Sequence, residues 1–142
     1  MKPGIEVVIV YSDEDLLELL VRGSNGVFSG EARTYTNLET PRAVAETLRG
    51  FPTSRHDVRS VQLGAFDTAS AGGGAALRFY CLDSAGHAAV DIRFRTDSRY
   101  DGSVDEARFH IRIEAAAVDS FVNQLSRMSS PVGDAARVDA AG

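Results

Sequence analysis

The sequence predicts an α+β protein built on a single antiparallel sheet of about six strands with two helices. Apolar and polar residues alternate strictly over 90–95 and 108–114, which is the pattern of strands with one buried and one solvated face. An apolar stripe at helical spacing lies near the C-terminus. It is formed by Val118, Phe121, Val122, Leu125 and Met128. We expect this C-terminal helix to pack on the apolar face of the sheet.

The length of 142 residues predicts one domain with a core of its own. We assign that domain to residues 1–128. Residues 129–142 are small, polar and alanine-rich, with too little apolar surface to offset the entropy of ordering them. The sequence therefore predicts a flexible C-terminal tail.

Charge and hydropathy exclude several classes of partner. The formal net charge of −5 gives no overall attraction for nucleic acid. No apolar run approaches the roughly 18 residues that would span a bilayer, and the segment 1–4 does not resemble the start of a signal peptide. We therefore expect a cytoplasmic protein that binds neither membrane nor nucleic acid.

The first third of the chain predicts three strands, one of them ambiguous. Residues 5–11 are apolar and β-branched, as in strands. For 16–22, an N-cap at Ser12 would favour a helix, whereas the hairpin signal at 24–26 favours two strands joined by a turn, the second over 27–36. We prefer the two strands and keep the helix as the alternative.

The middle of the chain predicts a helix, a strand and a loop. The helix covers 38–51, with Thr40 as its N-cap and Pro41 at its first position. Three apolar residues share one face within 57–66, which indicates a strand. The glycine-rich segment 67–74 is predicted to be a flexible loop.

Two connections determine the register of the central strands. Segment 83–86 reads as a tight turn after a strand over 77–82, so that Arg78 faces Asp91. The connection over 96–106 is longer and leaves its register open. If that connection is centred, Arg112 lies near Asp91 and places this carboxylate between two arginines.

No catalytic, metal or cofactor site is predicted. The glycines at 72–74 lack the lysine and hydroxyl that follow in a phosphate-binding loop. Cys81 lies on the apolar face of its strand, as expected of a buried structural thiol. No motif places a nucleophile beside a histidine and an acid.

The histidines do not form a metal site by spacing. His87 and Asp91, like His110 and Glu114, are four residues apart, and four residues of a strand span roughly 13 Å. A cross-strand site joining His110 to Asp91 requires a different register. We interpret all three histidines, including His56, as solvated.

The polar face of the predicted sheet is the remaining candidate for binding. Arginine and tyrosine are enriched at protein interfaces, although any sheet with a solvated face carries charged residues there. Its excess of arginine over acid predicts a protein partner with an acidic surface. The predicted binding residues are Arg78, Tyr80, Asp91, Arg93, Arg95, Arg108, His110, Arg112 and Glu114.

The order of motifs over about residues 5–128 resembles a group of small bacterial proteins. The matching segments are FSGEARTY at 28–35, LRGFP at 48–52, LDSAGH at 82–87 and IEAAAVDSFVNQL at 113–125. The group is similar to immunity proteins that neutralise wall-associated polymorphic toxins, and to related domains of unknown function. The resemblance implies a non-enzymatic binding domain and transfers no catalytic residue.

The sequence therefore predicts a protein-binding domain whose polar sheet face, or whose loop over 96–106, meets its partner. A small-molecule binder or enzyme with a pocket between sheet and helices is one alternative. A structural subunit that self-associates is another. The sequence leaves the oligomeric state open.

Overall fold

A computed structural model describes residues 1–67, 69–97 and 102–142. Three strands precede the first helix, four strands separate the two helices, and one strand follows. The elements are β1 (Gly4–Ser12), β2 (Leu17–Ser24), β3 (Ser29–Thr36), α1 (Thr40–Leu48), β4 (Val58–Gly64), β5 (Gly74–Cys81), β6 (His87–Arg95), β7 (Glu106–Glu114), α2 (Ala117–Arg127) and β8 (Ala135–Asp139). The predicted loops over 67–74 and 96–106 include residues 68 and 98–101, which lie outside the described residues.

The strands form two antiparallel sheets of four, which confirms the α+β class and the two helices. The strand orders are β3-β2-β1-β8 in the first sheet and β4-β5-β6-β7 in the second. The prediction of a single sheet of about six strands is wrong. Both sheets bury one face in a common apolar core, and alternation identifies a buried face without saying which strands pair.

The two sheets meet closely where β3 crosses the ends of three strands of the second sheet. A Cβ on Gly30 would lie 2.9 Å from the ring of Phe94, and one on Gly64 would lie 2.8 Å from Thr34. The backbone of Gly73 donates to the carbonyl of Arg33 over 2.8 Å. Glycine thus allows the backbones to approach where a side chain would keep them apart.

β2 is a strand, so the preferred reading of 16–22 is confirmed. β1 and β2 pair with Val7 opposite Val21, and both residues are buried. The predicted hairpin between β2 and β3 is also present. The side-chain Oδ1 of Asn25 accepts hydrogen bonds from the backbone N–H groups of Val27 (2.9 Å) and Phe28 (2.8 Å), which holds the turn.

The helices pack on each other and on the core. The predicted apolar stripe of α2 is buried, and Phe121 stacks on Phe79 of β5 with ring centroids 6.5 Å apart. Helix α1 is shorter than predicted, and its N-cap is Glu39 rather than Thr40. Asn37 orders the turn that precedes the helix, since its Oδ1 accepts from the Glu39 N–H at 3.0 Å and the Thr40 hydroxyl at 3.0 Å.

The C-terminal residues contain a strand, so the predicted flexible tail is wrong over 135–139. β8 pairs antiparallel with β1, with Val138 opposite Ile5 and Ala136 opposite Val7. Both β8 residues are buried. Composition indicated too little apolar surface for independent order, but the free edge of β1 supplies hydrogen bonds and the core supplies a site for two side chains.

Candidate functional site

The candidate site is the outward side of the sheet β4–β7, which we call the polar face. β5 and β6 pair with Arg78 opposite Asp91, as the tight turn predicted. β6 and β7 pair with Asp91 opposite His110 and Arg93 opposite Arg108. This register, rather than the centred one, determines which charges of the polar face are neighbours.

Eight of the nine predicted residues lie on the polar face. Tyr80 and Asp91 are partly buried there, and six are exposed: Arg78, Arg93, Arg108, His110, Arg112 and Glu114. The prediction that Arg95 belongs to this exposed face is wrong, because Arg95 is only 2% exposed. It shares the strand parity of Arg93, but its Nη1 donates to the carbonyl of Ala65 over 2.9 Å, so the connection after β4 covers the end of β6.

Asp91 lies at the centre of the charges. Its carboxylate accepts from Arg108 at Nε (3.2 Å) and Nη2 (2.7 Å), and only 11% of its side chain is exposed. Hydrogen bonding from Arg108 lowers the pKa of Asp91 and outweighs the opposing effect of partial burial. Asp91 therefore lies between two arginines, Arg78 and Arg108. Arg108 and Arg112 both flank His110, which lies opposite Asp91, but Arg108 rather than the predicted Arg112 donates to the carboxylate.

Two further arginines of the polar face, Arg93 and Arg78, are each held by neighbouring side chains. The Nε of Arg93 donates to Glu106 over 3.0 Å, and its guanidinium lies 4.5 Å from the ring centroid of Phe66. The guanidinium of Arg78 lies 5.0 Å from the ring centroid of Tyr80. Such cation–π contacts stabilise a guanidinium by its face and leave its N–H edges available.

A groove of about 290 Å³ opens between these side chains. Its floor contains Ala76, which stands between Gln62 of β4 and Arg93 of β6. Ser60 and Gln62 also line it. The short side chain of Ala76 leaves a depression in the polar face between the longer side chains of Gln62 and Arg93.

Sequence reasoning missed Ser60, Gln62 and Ala76, which line the groove. It also missed Glu106 and Phe66, which hold Arg93 beside the groove. Ser60 and Gln62 alternate with buried Val61 and Leu63, so their outward direction was readable, but the position of β4 beside β5 was not. Glu106 lay at the end of a connection whose register was open. Phe66 follows its strand, and no periodicity indicated its contact with Arg93.

A second depression of about 480 Å³ lies between the β2–β3 turn and the edge of β7. Val27 and Phe28 at the turn are 83% and 64% exposed. Asn25 donates through Nδ2 to the His110 carbonyl over 3.0 Å, which covers part of the edge. This apolar tip was not predicted as a contact surface.

The register brings His110 opposite Asp91, which is the cross-strand pair considered above, but a metal site needs further ligands. No group of three or more histidine, cysteine or acidic side chains could hold a metal ion among residues 1–67, 69–97 and 102–142. His110 Nε2 lies 4.0 Å from Asp91, while His87 Nδ1 lies 2.6 Å from Asp83. Cys81 is partly buried, and burial raises the pKa of its thiol, which disfavours the reactive thiolate.

Comparison with known proteins gives no match to a family model, to a characterised protein sequence or to a solved structure. Within the residues that the structure describes, no helix is long and apolar enough to cross a membrane. The polar face itself is therefore the basis for inferring a function.

Proposed function

We propose that the protein is a non-enzymatic protein-binding domain whose partner docks on the polar face. The observation that carries this proposal is a set of exposed arginines on one face of a four-stranded sheet. Arg78 and Arg112 are exposed, and neither forms an ion pair with any other described residue. Arginine supplies five donors and stacks well, and it is enriched in interface hot spots.

The resemblance to immunity proteins suggests what kind of partner this is. An immunity protein acts by binding its toxin and needs no catalytic machinery of its own. A four-stranded surface with ordered side chains suits such a role because little entropy is lost on docking. We therefore propose a bacterial toxin as the partner.

A small-molecule site between sheets and helices has less support. Among the described residues the buried polar or charged side chains are Ser24, Thr34 and Arg95, whereas a ligand pocket needs convergent polar groups in a cavity. The space between the layers is filled by apolar side chains. The groove above Ala76 and the depression beside the β2–β3 turn both lie on the surface.

The proposal is tested by capture from lysate of the source organism. Wild type and the double variant Arg78→Glu/Arg112→Glu are used as baits, the captured protein is identified by mass spectrometry, and binding is repeated with purified components. We expect wild type alone to bind, because charge reversal removes two guanidinium groups from the interface and adds repulsion. If the partner is a toxin, co-expression with wild type restores growth and co-expression with the double variant does not.

Arg42→Glu/Arg127→Glu is the matched control. Both residues are exposed on the helices, and the change in net charge is the same. We expect this control to bind like wild type. Equal binding by the polar-face variant and the control would refute docking on the polar face.

A further inference from the structure

We propose that the groove on the polar face binds carboxylate side chains, so that an acidic segment of the partner protein docks there. This inference rests on the proposed function and names the chemistry of the partner. It concerns the depression above Ala76, whose arginines are Arg78, Arg93 and Arg108.

The first observation is that the unused hydrogen-bonding capacity of the groove is dominated by donors. Asp91, which lines the groove, is engaged by Arg108, and Glu106 beside the groove is engaged by Arg93. An arginine has five N–H groups, and each of these ion pairs uses two nitrogens of its guanidinium. The side chains of Arg93 and Arg108 are 48% and 69% exposed, so their remaining donors face solvent.

The second observation is that like charges stand directly opposite each other. Arg93 and Arg108 are cross-strand partners, and like charges directly opposite each other destabilise a sheet. Arg78 approaches the same groove from β5. An anion placed between these guanidinium groups relieves their mutual repulsion, and bidentate contacts to a carboxylate suit arginine geometry.

The third observation is preorganisation. Glu106 and the ring of Phe66 hold Arg93, while the Tyr80 ring holds Arg78. Less rotamer entropy is lost when a carboxylate binds donors that are already oriented. The short side chain of Ala76 leaves the volume that the carboxylate enters.

Protein carboxylates fit this groove better than a nucleic acid does. The chain carries a net charge of −5, and Glu114 lies on the same face. A long polyanion would be repelled by these surroundings. A short acidic segment contacts only the arginine cluster, where its carboxylates meet unused donors.

The test is an NMR titration of the ¹⁵N-labelled full chain with a capped Asp-Glu-Asp-Glu tetrapeptide. We expect saturable shifts of the Ala76 and Arg93 amides, with a dissociation constant of about 1 mM. The matched Asn-Gln-Asn-Gln peptide should produce no saturable shift. Inorganic phosphate is a third arm, and binding of phosphate with no binding of the acidic peptide would overturn the proposal in favour of a phosphate site.

Two variants keep the net charge of the protein and alter the groove. Ala76→Leu fills the floor of the groove. Arg93→Gln/Glu106→Gln removes the guanidinium of Arg93 together with the carboxylate that pairs with it. We expect each variant to lower the affinity for the acidic peptide about tenfold. The control variant Ala43→Leu, at an exposed position of α1, should leave the affinity unchanged. Wild-type affinity in both groove variants, or no saturable shift in wild type, would overturn the inference.

This titration and the lysate capture fail independently. Because the titration needs no native partner, its failure leaves protein binding through the wider polar face in place. Conversely, saturable peptide binding without capture of any partner from lysate retains the carboxylate site and removes support from the proposed function.

Discussion

Asp57 illustrates how single residues hold this fold. Its carboxylate pairs with Arg59 through contacts of 2.8 and 2.9 Å, and Arg59 Nη1 donates to the carbonyls of Thr47 and Arg49, each over 3.0 Å. These carbonyls belong to the C-terminal end of α1, where backbone acceptors lack helical partners. The pair therefore ties the end of the helix to the start of β4.

The Asp57 pair predicts a pH dependence of stability. Hydrogen bonding from Arg59 lowers the pKa of Asp57 from 3.8 to about 2, so the stabilisation is fully present above the unfolded pKa and is lost as pH falls through the folded one. We expect Asp57→Asn to reduce the free energy of unfolding by about 1–2 kcal/mol near neutral pH. Urea unfolding should show this difference shrinking as pH falls towards 2.

Asp15→Asn is the control for that experiment. Asp15 is exposed, and it forms no ion pair with any other described residue. We expect this variant to follow wild type throughout. A difference between Asp57→Asn and wild type that is constant across the pH range would exclude the ionised pair as its cause.

Arg95 shows that the alternation of apolar and polar residues does not always predict which side chains are exposed. Strand parity places it beside Arg93 on the polar face, yet it is buried under the connection after β4. Parity gives the direction of a side chain relative to its own sheet. It does not say which loop will cover that position, because the loop contact joins residues 30 positions apart.

The side chain of Gln124 in α2 protects the open edge of strand β8. Its side-chain Oε1 accepts from the Arg137 N–H over 2.9 Å, and its Nε2 donates to the Arg137 carbonyl over 3.2 Å. One side-chain amide thus satisfies both outward backbone groups of Arg137, as a neighbouring strand would. Unpaired edges otherwise invite association with other chains.

Replacing Gln124 should loosen β8 selectively. We expect Gln124→Ala to cost about 1–2 kcal/mol, since it removes two hydrogen bonds at a partly buried position. Hydrogen exchange of the Arg137 amide should accelerate, while amides of β6 keep their protection. Asn123→Ala, at the exposed neighbouring position, should leave Arg137 unchanged; equal acceleration in both variants would contradict the edge-capping role.

The elements themselves were largely predictable, but their assembly was not. The tight turn at 83–86 fixed the pairing of Arg78 with Asp91, because a short connection leaves one register. The longer connection over 96–106 imposed no such restriction, and Arg108 rather than Arg112 is the partner of Asp91. β8 was missed because its order comes from β1, more than a hundred residues earlier in the chain.

The division into two sheets has a functional consequence for the whole molecule. Each sheet covers the apolar face of the other, so the outward side of β4–β7 remains available. The protein has a net charge of −5. The exposed guanidinium groups nevertheless make the polar face a local positive patch. Local positive charge accelerates association with an acidic surface, and this acceleration decreases as the salt concentration is raised.

The most direct test of the account follows the arginine side chains while the partner binds. NMR of the Nε–Hε groups distinguishes arginines of the polar face from those of the helices without any mutation. During titration with the purified partner, we predict that the signals of Arg78, Arg93, Arg108 and Arg112 shift or broaden, while those of Arg42 and Arg127 remain unchanged. Perturbation of Arg42 and Arg127 with no change at the polar face would contradict the account.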